Sequence, residues 1–287
     1  MTKVILGVDP AGQYSPAVDL LAALRFADLD LELLHVEEPH YAVDDSAMLP
    51  MSPEWTAEVE SARRESAERI LASAQAKIVA AGLSARARTS LGSPARVLID
   101  RADVEQADLI AVGSGNQSGL AQLFLGSVGR GLALGAHQSI LVGRESPKSS
   151  GGLTAVFATD HSEYADKCAD LLIRLRPSGI RHLVVLTATT ALEPGHAFEH
   201  VMVEHRRVTT EKLDALAARF TASGLPAEAM LREGAAVPTI ETVASHVQAD
   251  LVIVGARGQG FFERVLIGST SLQVMVSTRE NVLMLRP

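Results

Sequence analysis

Short apolar runs alternate along the chain with longer stretches whose apolar positions recur at helical spacing, and the whole alternation occurs twice. In the first half the runs predict strands at Val4–Asp9, Leu31–Val36, Ala85–Leu91, Leu109–Val112 and Ser139–Gly143. In the second half they predict strands at Thr154–Thr159, His182–Thr187, Ala227–Leu231, Leu251–Val254 and Val282–Leu285. The intervening stretches, such as Ala57–Ala81 and Thr209–Ser223, are rich in Ala, Glu, Arg and Leu and predict helices. Strands that are almost continuously apolar need cover on both faces, which crossover helices supply in a parallel sheet. The expected fold class is therefore α/β, with two repeated doubly wound domains, each a five-stranded parallel sheet with helices on both faces. Ligands of such sheets bind at the carboxyl ends of the strands, around the topological switch point.

The repeat is visible residue by residue. Gln106–Gly113 recurs as Gln248–Gly255, an offset of 142, and the same offset carries Gly82-Leu83 onto Gly224-Leu225, Gly92 onto Gly234 and Gly126-Ser127 onto Gly268-Ser269. Near the start the offset is 151, because Asp9 pairs with Asp160. The second copy is thus nine residues shorter between positions 36 and 82, and the surplus is assigned to a loop over Glu38–Pro53. Glu145-Ser146-Pro147-Lys148-Ser149-Ser150-Gly151-Gly152 has the composition of a solvated connection. Domains are accordingly expected at 1–145 and 153–287, joined by a linker over 146–152.

The switch-point rule directs attention to the loop after the fourth strand of each half. In the second half Val254 is followed by Gly255-Ala256-Arg257-Gly258, nine residues, and then Gly268-Ser269-Thr270. Glycines let backbone N–H groups approach an anion, and a helix opening at Gly268-Ser269 offers free N–H groups and a favourable dipole. Ser269 and Thr270 add hydroxyl donors, and Arg257 is placed to reach a terminal phosphate. The first half reads Gly113-Ser114-Gly115-Asn116, nine residues, and then Gly126-Ser127-Val128, so Asn116 replaces the second glycine. Asn tolerates the left-handed conformation, but its side chain takes up space. Pro10, directly after Asp9, removes an N–H and stiffens that loop.

The pattern Gly-x2-Gly-x9-Gly-Ser/Thr, with an Asp closing the first strand, resembles the universal stress protein family in its tandem two-domain form, and the resemblance covers essentially the whole chain. It implies ATP or ADP, with or without Mg, as the ligand. In the second half it implies Asp160 on the ribose hydroxyls, Thr187 meeting adenine through its backbone, and Val254, Gly255, Arg257, Gly258, Gly268, Ser269 and Thr270 around the phosphates. The first-half counterparts are Asp9, Val36, Gly113, Asn116, Gly126, Ser127 and Val128, with the motif degenerate. The family also implies that the last strands, Ser139–Gly143 and Val282–Leu285, pair across a pseudo-twofold axis, and it allows a homodimer. A nucleotide-dependent regulator of the stress response, holding its nucleotide in the second half before the first, is the expected function. The alternative is a nucleotide-free scaffold that holds a protein partner or another small ligand in the same fold.

Composition and charge narrow this reading. Lys plus Arg is 26 against 34 for Asp plus Glu, a net −8 that repels nucleic-acid phosphates. Residues 1–147 hold 12 basic and 19 acidic residues, net −7, which leaves net −1 for residues 148–287. A single cysteine, Cys168, excludes an intrachain disulfide, and with no secretory leader the expected location is cytoplasmic. No apolar run reaches the roughly 20 residues of a membrane span. No nucleophile elbow, Walker loop, kinase triplet or zincin motif occurs, so no catalytic residues are expected and at most slow ATP hydrolysis. His196, His200 and Glu204 share a four-residue spacing that a metal site could use, but a solvated helix face is the expected role, and no metal site is assigned. His35 and His161 fall at strand ends near the expected pocket, and Cys168 on an apolar helix face.

Overall fold

A computed structural model describes residues 1–38, 53–114, 125–148, 151–189, 199–258 and 267–287. The first half runs β1 (Thr2–Val8), α1 (Ser15–Leu24), β2 (Leu29–Glu37), α2 (Pro53–Ala80), β3 (Arg86–Leu91), α3 (Pro94–Glu105), β4 (Leu109–Gly113), α4 (Ser127–Gly135) and β5 (Ser139–Gly143). The second repeats the order as β6 (Leu153–Ala158), α5 (Glu163–Leu175), β7 (Ile180–Thr189), α6 (Glu199–Ala222), β8 (Ala227–Glu233), α7 (Ala236–His246), β9 (Leu251–Gly255), α8 (Ser269–Ser277) and β10 (Asn281–Leu285). All the strands expected from the apolar runs form. The helix expected over Thr209–Ser223 begins ten residues earlier, at Glu199. The surplus loop expected over Glu38–Pro53 lies almost wholly outside the described residues.

Within each half the strands are parallel in the doubly wound order, β3-β2-β1-β4-β5 and β8-β7-β6-β9-β10, and the two sets join into one ten-stranded sheet. The seam is antiparallel: Ile140 faces Met284, Leu141 faces Leu283 and Val142 faces Val282. Leu141 and Leu283 are themselves related by the 142 offset, so the pseudo-twofold axis passes through that pair. The last strands thus pair across the axis, and because each is then hydrogen-bonded on both sides, neither is an edge. Both have every residue buried, which accounts for their unbroken apolar character.

Two layers cover the sheet. The core on one face takes apolar residues of α1, α2, α5 and α6 from both halves, including an edge-to-face Phe157–Phe220 pair with ring centroids 5.2 Å apart. The other face is covered by α3, α4, α7 and α8, again without a break between halves. The repeat extends to rare backbone conformations: Arg25 and Arg176, Gln106 and Gln248, Gly82 and Gly224, and Gly92 and Gly234 all have positive φ. Asp108 accepts from the amide of Lys3, and Asp250 accepts from those of Thr154 and Lys148, so an acid fixes the start of β1 and of β6 alike.

One departure shifts the correspondence. Leu153 pairs with Ile180 and Thr154 with His182, so Arg181 is an extra residue in β7, and from there onward the equivalence of β2 and β7 runs at an offset of 152. Val36 therefore corresponds to Ala188, not to Thr187, whose counterpart is His35. The expected pairing of Val36 with Thr187 is one residue out of register, for a reason that no periodicity in the sequence signals.

Candidate functional site

Each half carries a cleft at the carboxyl ends of its central strands. The first-half cleft, about 770 Å3, brings together Asp9 at the end of β1, Val36 at the end of β2, Gly113 at the end of β4, and Gly126, Ser127 and Val128 at the start of α4. The second-half cleft, about 250 Å3, brings together Asp160, Val254, Gly255, Arg257, Gly258, Gly268 and Thr270. Thr187 does not line it; its neighbours Leu186 and Ala188 do. Ser269 opens α8 and is exposed beside the cleft without lining it. Asn116 lies outside the described residues.

The two acids do not stand in the same surroundings. Asp9 accepts from the amides of Gln13 (3.2 Å) and Tyr14 (3.1 Å), one on each oxygen, and so fastens the start of α1. Asp160 accepts from the amide of Ser162 at 3.0 Å, while the Ser162 hydroxyl caps α5 through the amide of Ala165. Ser162, not Asp160, thus caps α5. A Cβ on Gly258 would meet Asp160 Oδ2 at 2.7 Å, so the second glycine of the motif lets the loop lie directly on this carboxylate.

The residue after each acid drives the halves apart. His161 adopts φ +56°, which a proline cannot, so Pro10 imposes a different path on the first-half loop. The His161 ring is within 3.0 Å of the Thr187 hydroxyl. Burial, reinforced by Lys212, pushes its pKa down against the pull of Asp166 and Asp160. His35 donates from Nδ1 to the carbonyl of Val8 at 2.8 Å and is buried, so its ring braces the strands below the first cleft.

The first glycine of each motif serves packing as well as access. A Cβ on Gly113 would lie 1.9 Å from the carbonyl oxygen of Gln13, so only glycine admits the β1–α1 loop there. On Gly255 it would lie 3.0 Å from the sulfur of Cys168, a buried thiol whose pKa desolvation pushes up to about 12. Gly126 and Gly268 hold the N-cap positions of α4 and α8, and neither helix start carries a side-chain cap. Among the described residues, their leading N–H groups are thus left for an anion. The guanidinium of Arg257 stands over the ring of Tyr164, 5.7 Å from its centroid, while still lining the second cleft.

Sequence reasoning missed a whole wall. The first cleft runs across the end of β2 to α2, where Val59, Arg63, Ala67 and Ile70 line it, and Arg63 pairs with Glu37 at 3.0 Å. No described side chain of α6 lines the second cleft. Nothing in the composition of α2 marks it as a wall, since helix residues facing a cleft and those facing a core follow the same periodicity. Of the helical trio considered for metal, Glu204 is engaged by Arg207, and His196 and the side chain of His200 lie outside the described residues.

The fold and its clefts define a class: tandem doubly wound domains, fused through their last strands, with a carboxylate and an open helix start facing each other at each switch point. The universal stress protein family model matches residues 1–144 and again residues 154–286, and the chain belongs to that family in tandem form. A universal stress protein of Synechocystis is 30% identical over 132 residues, covering 45% of this chain and 84% of that protein. One from Mycolicibacterium smegmatis is 26% identical over 297 aligned positions, covering 99% and 97%. Among solved structures, a universal stress protein from Archaeoglobus fulgidus superimposes with a TM-score of 0.68 over 99% of this chain and 98% of that one, at 20% identity. No helix among the described residues is long and apolar enough to cross a membrane.

Proposed function

We propose that the protein binds an adenine nucleotide, ATP or ADP, and acts as a nucleotide-dependent regulator by binding rather than by turnover. The observation that carries this reading is the pairing, repeated in both halves, of a strand-end carboxylate with an uncapped helix N-terminus across one cleft. A carboxylate accepts from ribose hydroxyls, and a helix start attracts phosphate. The glycine motif is more complete in the second half, but the cleft volumes run the other way. Small-molecule sites occupy roughly 300–1,000 Å3, a range that the first cleft reaches and the second does not. We therefore assign a whole nucleotide first to the cleft of Asp9, Val36, Gly126 and Ser127, and a phosphate-end contact to that of Asp160, Gly268 and Thr270. Backbone amides hold one lone pair on each oxygen of Asp9 and so fix the carboxylate's orientation, leaving its remaining lone pairs for ribose hydroxyls.

Equilibrium dialysis with labelled ATP and Mg tests this in Ser127→Asp and Ser269→Asp. An acid at the first helical position favours the helix while repelling phosphate, so loss of binding in these variants is not loss of fold. Affinity should fall on the order of tenfold or more in Ser127→Asp, the scale of one charged contact. Unchanged affinity in both variants refutes the assignment. A nucleotide-free scaffold is the second reading, favoured by Pro10 and Asn116, and mass spectrometry of the denatured purified protein distinguishes it by the absence of retained nucleotide.

A further inference from the structure

Arg144 and Arg286 are equivalent under the 142 offset, and each reaches out of its own half. Arg144 donates from Nη2 to the carbonyl of Met275 in the last turns of α8, and Arg286 donates from Nη2 to the carbonyl of Ala133 in the last turns of α4. The two acceptors are also 142 residues apart, so the contact is reciprocal across the pseudo-twofold axis. Their backbones are fixed reciprocally as well: the Arg144 amide donates to Asn281 Oδ1 at 2.7 Å, and the Arg286 amide to Ser139 Oγ at 3.1 Å.

Each arginine also borders a cleft of its own half. Arg144 follows Gly143, which pairs with Gly113 of the first cleft and accepts from the amide of Ser114 at 2.8 Å. Arg286 follows Leu285, which pairs with Gly255 of the second cleft and accepts from the amide of Ala256 at 2.9 Å. In both guanidinium groups Nε and Nη1 are buried with no hydrogen-bond partner among the described residues. Each cation thus lies at the carboxyl end of a helix, where it complements the dipole and satisfies a carbonyl, with Glu280 also acting on Arg144 and Tyr164 and Arg257 on Arg286. Those helices, α8 and α4, are the two whose other ends open on the clefts.

We propose that Arg144 and Arg286 are positioning residues that act crosswise: Arg144 sets α8 for the second-half cleft, and Arg286 sets α4 for the first. The affinity of each cleft for an anionic ligand then depends on an arginine carried by the opposite half. The crosswise effect on affinity rests on the nucleotide reading; the crosswise effect on helix order does not.

Hydrogen exchange followed by mass spectrometry on the full chain, along a titration with ATP and Mg, reads both helix starts in one molecule. Arg144→Gln should shift the midpoint of protection at residues 268–273 by about three- to tenfold and leave that at 126–131 within about twofold, the range expected for a cation at a helix carboxyl end. Arg286→Gln should do the reverse, and Arg144→Lys, which keeps the charge, should restore the first midpoint to within about twofold. Arg144→Met, which keeps the stem, takes the place of the glutamine variant should that fail to fold. A shift in the variant's own half, in both halves equally, or in neither overturns the proposal. If ATP protects nothing in the unsubstituted protein, the nucleotide reading fails by itself, and ligand-free exchange decides: Arg144→Gln must speed the last turn of α8 and spare α4. Faster exchange in α4 instead, or in neither helix, overturns the crosswise positioning.

Discussion

Glu32 on β2 is 3% exposed, yet it is a carboxylate held bidentately by Arg101 of α3 at 2.7 and 2.8 Å, with Arg88 of β3 at 3.5 Å. The second half shows what the same positions do without charge. By register and offset, Glu32 corresponds to Val184, Arg101 to Val243 and Arg88 to Met230, and all three belong to the apolar layer under α7. Removing one partner of a buried ion pair costs about 3–5 kcal/mol, whereas exchanging the whole set for apolar groups is neutral or stabilising by about 1–4 kcal/mol. Arg101→Val alone should fall near the lower figure, since Arg88 remains beside Glu32. At about 2–4 °C per kcal/mol for a chain of this size, that is a fall in Tm of about 6–12 °C. The triple variant Glu32→Val, Arg88→Met, Arg101→Val should melt within a few degrees of the parent. The hydrogen bonds from Arg101 hold the Glu32 carboxyl below its ordinary pKa, despite opposing desolvation. Its contribution is thus present above the unfolded value of 4.5 and lost as pH falls through the folded one, so the triple variant should also lose less stability in acid. Thermal and urea unfolding of the full chain at pH 7 and pH 4 check this. A triple variant as unstable as Arg101→Val would refute the reasoning.

Two further outcomes follow from close contacts and from burial. Gly113→Ala would place a Cβ 1.9 Å from the Gln13 carbonyl oxygen, so it should lower stability by about 2 kcal/mol or more through displacement of the β1–α1 loop, read as a lower urea midpoint. For His161, burial foremost lowers the folded pKa, so the unfolded chain takes up the proton first as pH falls past about 6.5. Stability attributable to this ring is then complete above that pH and falls below it. His161→Asn tolerates the left-handed backbone and should flatten the urea midpoint between pH 5 and 8, whereas an unaltered slope rules out His161 as its source.

The repeat and the ten strands were legible because each rests on local pattern, apolar runs for buried strands and glycines at fixed offsets for turns whose φ is positive in both copies, whereas the pairing of the last strands was implied only by the family resemblance and its antiparallel direction comes from the structure. Most residues assigned to the clefts from the glycine motif do meet there, because strand ends and helix starts are placed by the doubly wound topology. What was not legible depends on register or on distant parts of the chain. Arg181 shifts β7 by one residue, and no hydrophobic period reveals an inserted residue in a strand whose two faces are both apolar. The α2 wall of the first cleft, and the guanidinium groups of Arg144 and Arg286 reaching across the axis, come from residues far apart in sequence.

The completeness of a glycine motif and the capacity of its cleft are separable properties, and these two halves separate them. A loop that can lie on Asp160 because Gly258 has no side chain closes space as readily as it admits phosphate, and the ring of His161, anchored on Thr187, brings a side chain to that end of β7 which the first half lacks. In the first half Pro10 forbids the backbone that His161 adopts, and α2, steadied by the Arg63–Glu37 pair, extends the cleft past the end of β2. Pro10, one of the first half's departures, therefore accompanies the larger cavity. Most of the chain's negative charge also lies in that half, net −7 over residues 1–147. A polyanion there would meet the start of α4 and, on α2, the guanidinium of Arg63, which lines the same cleft.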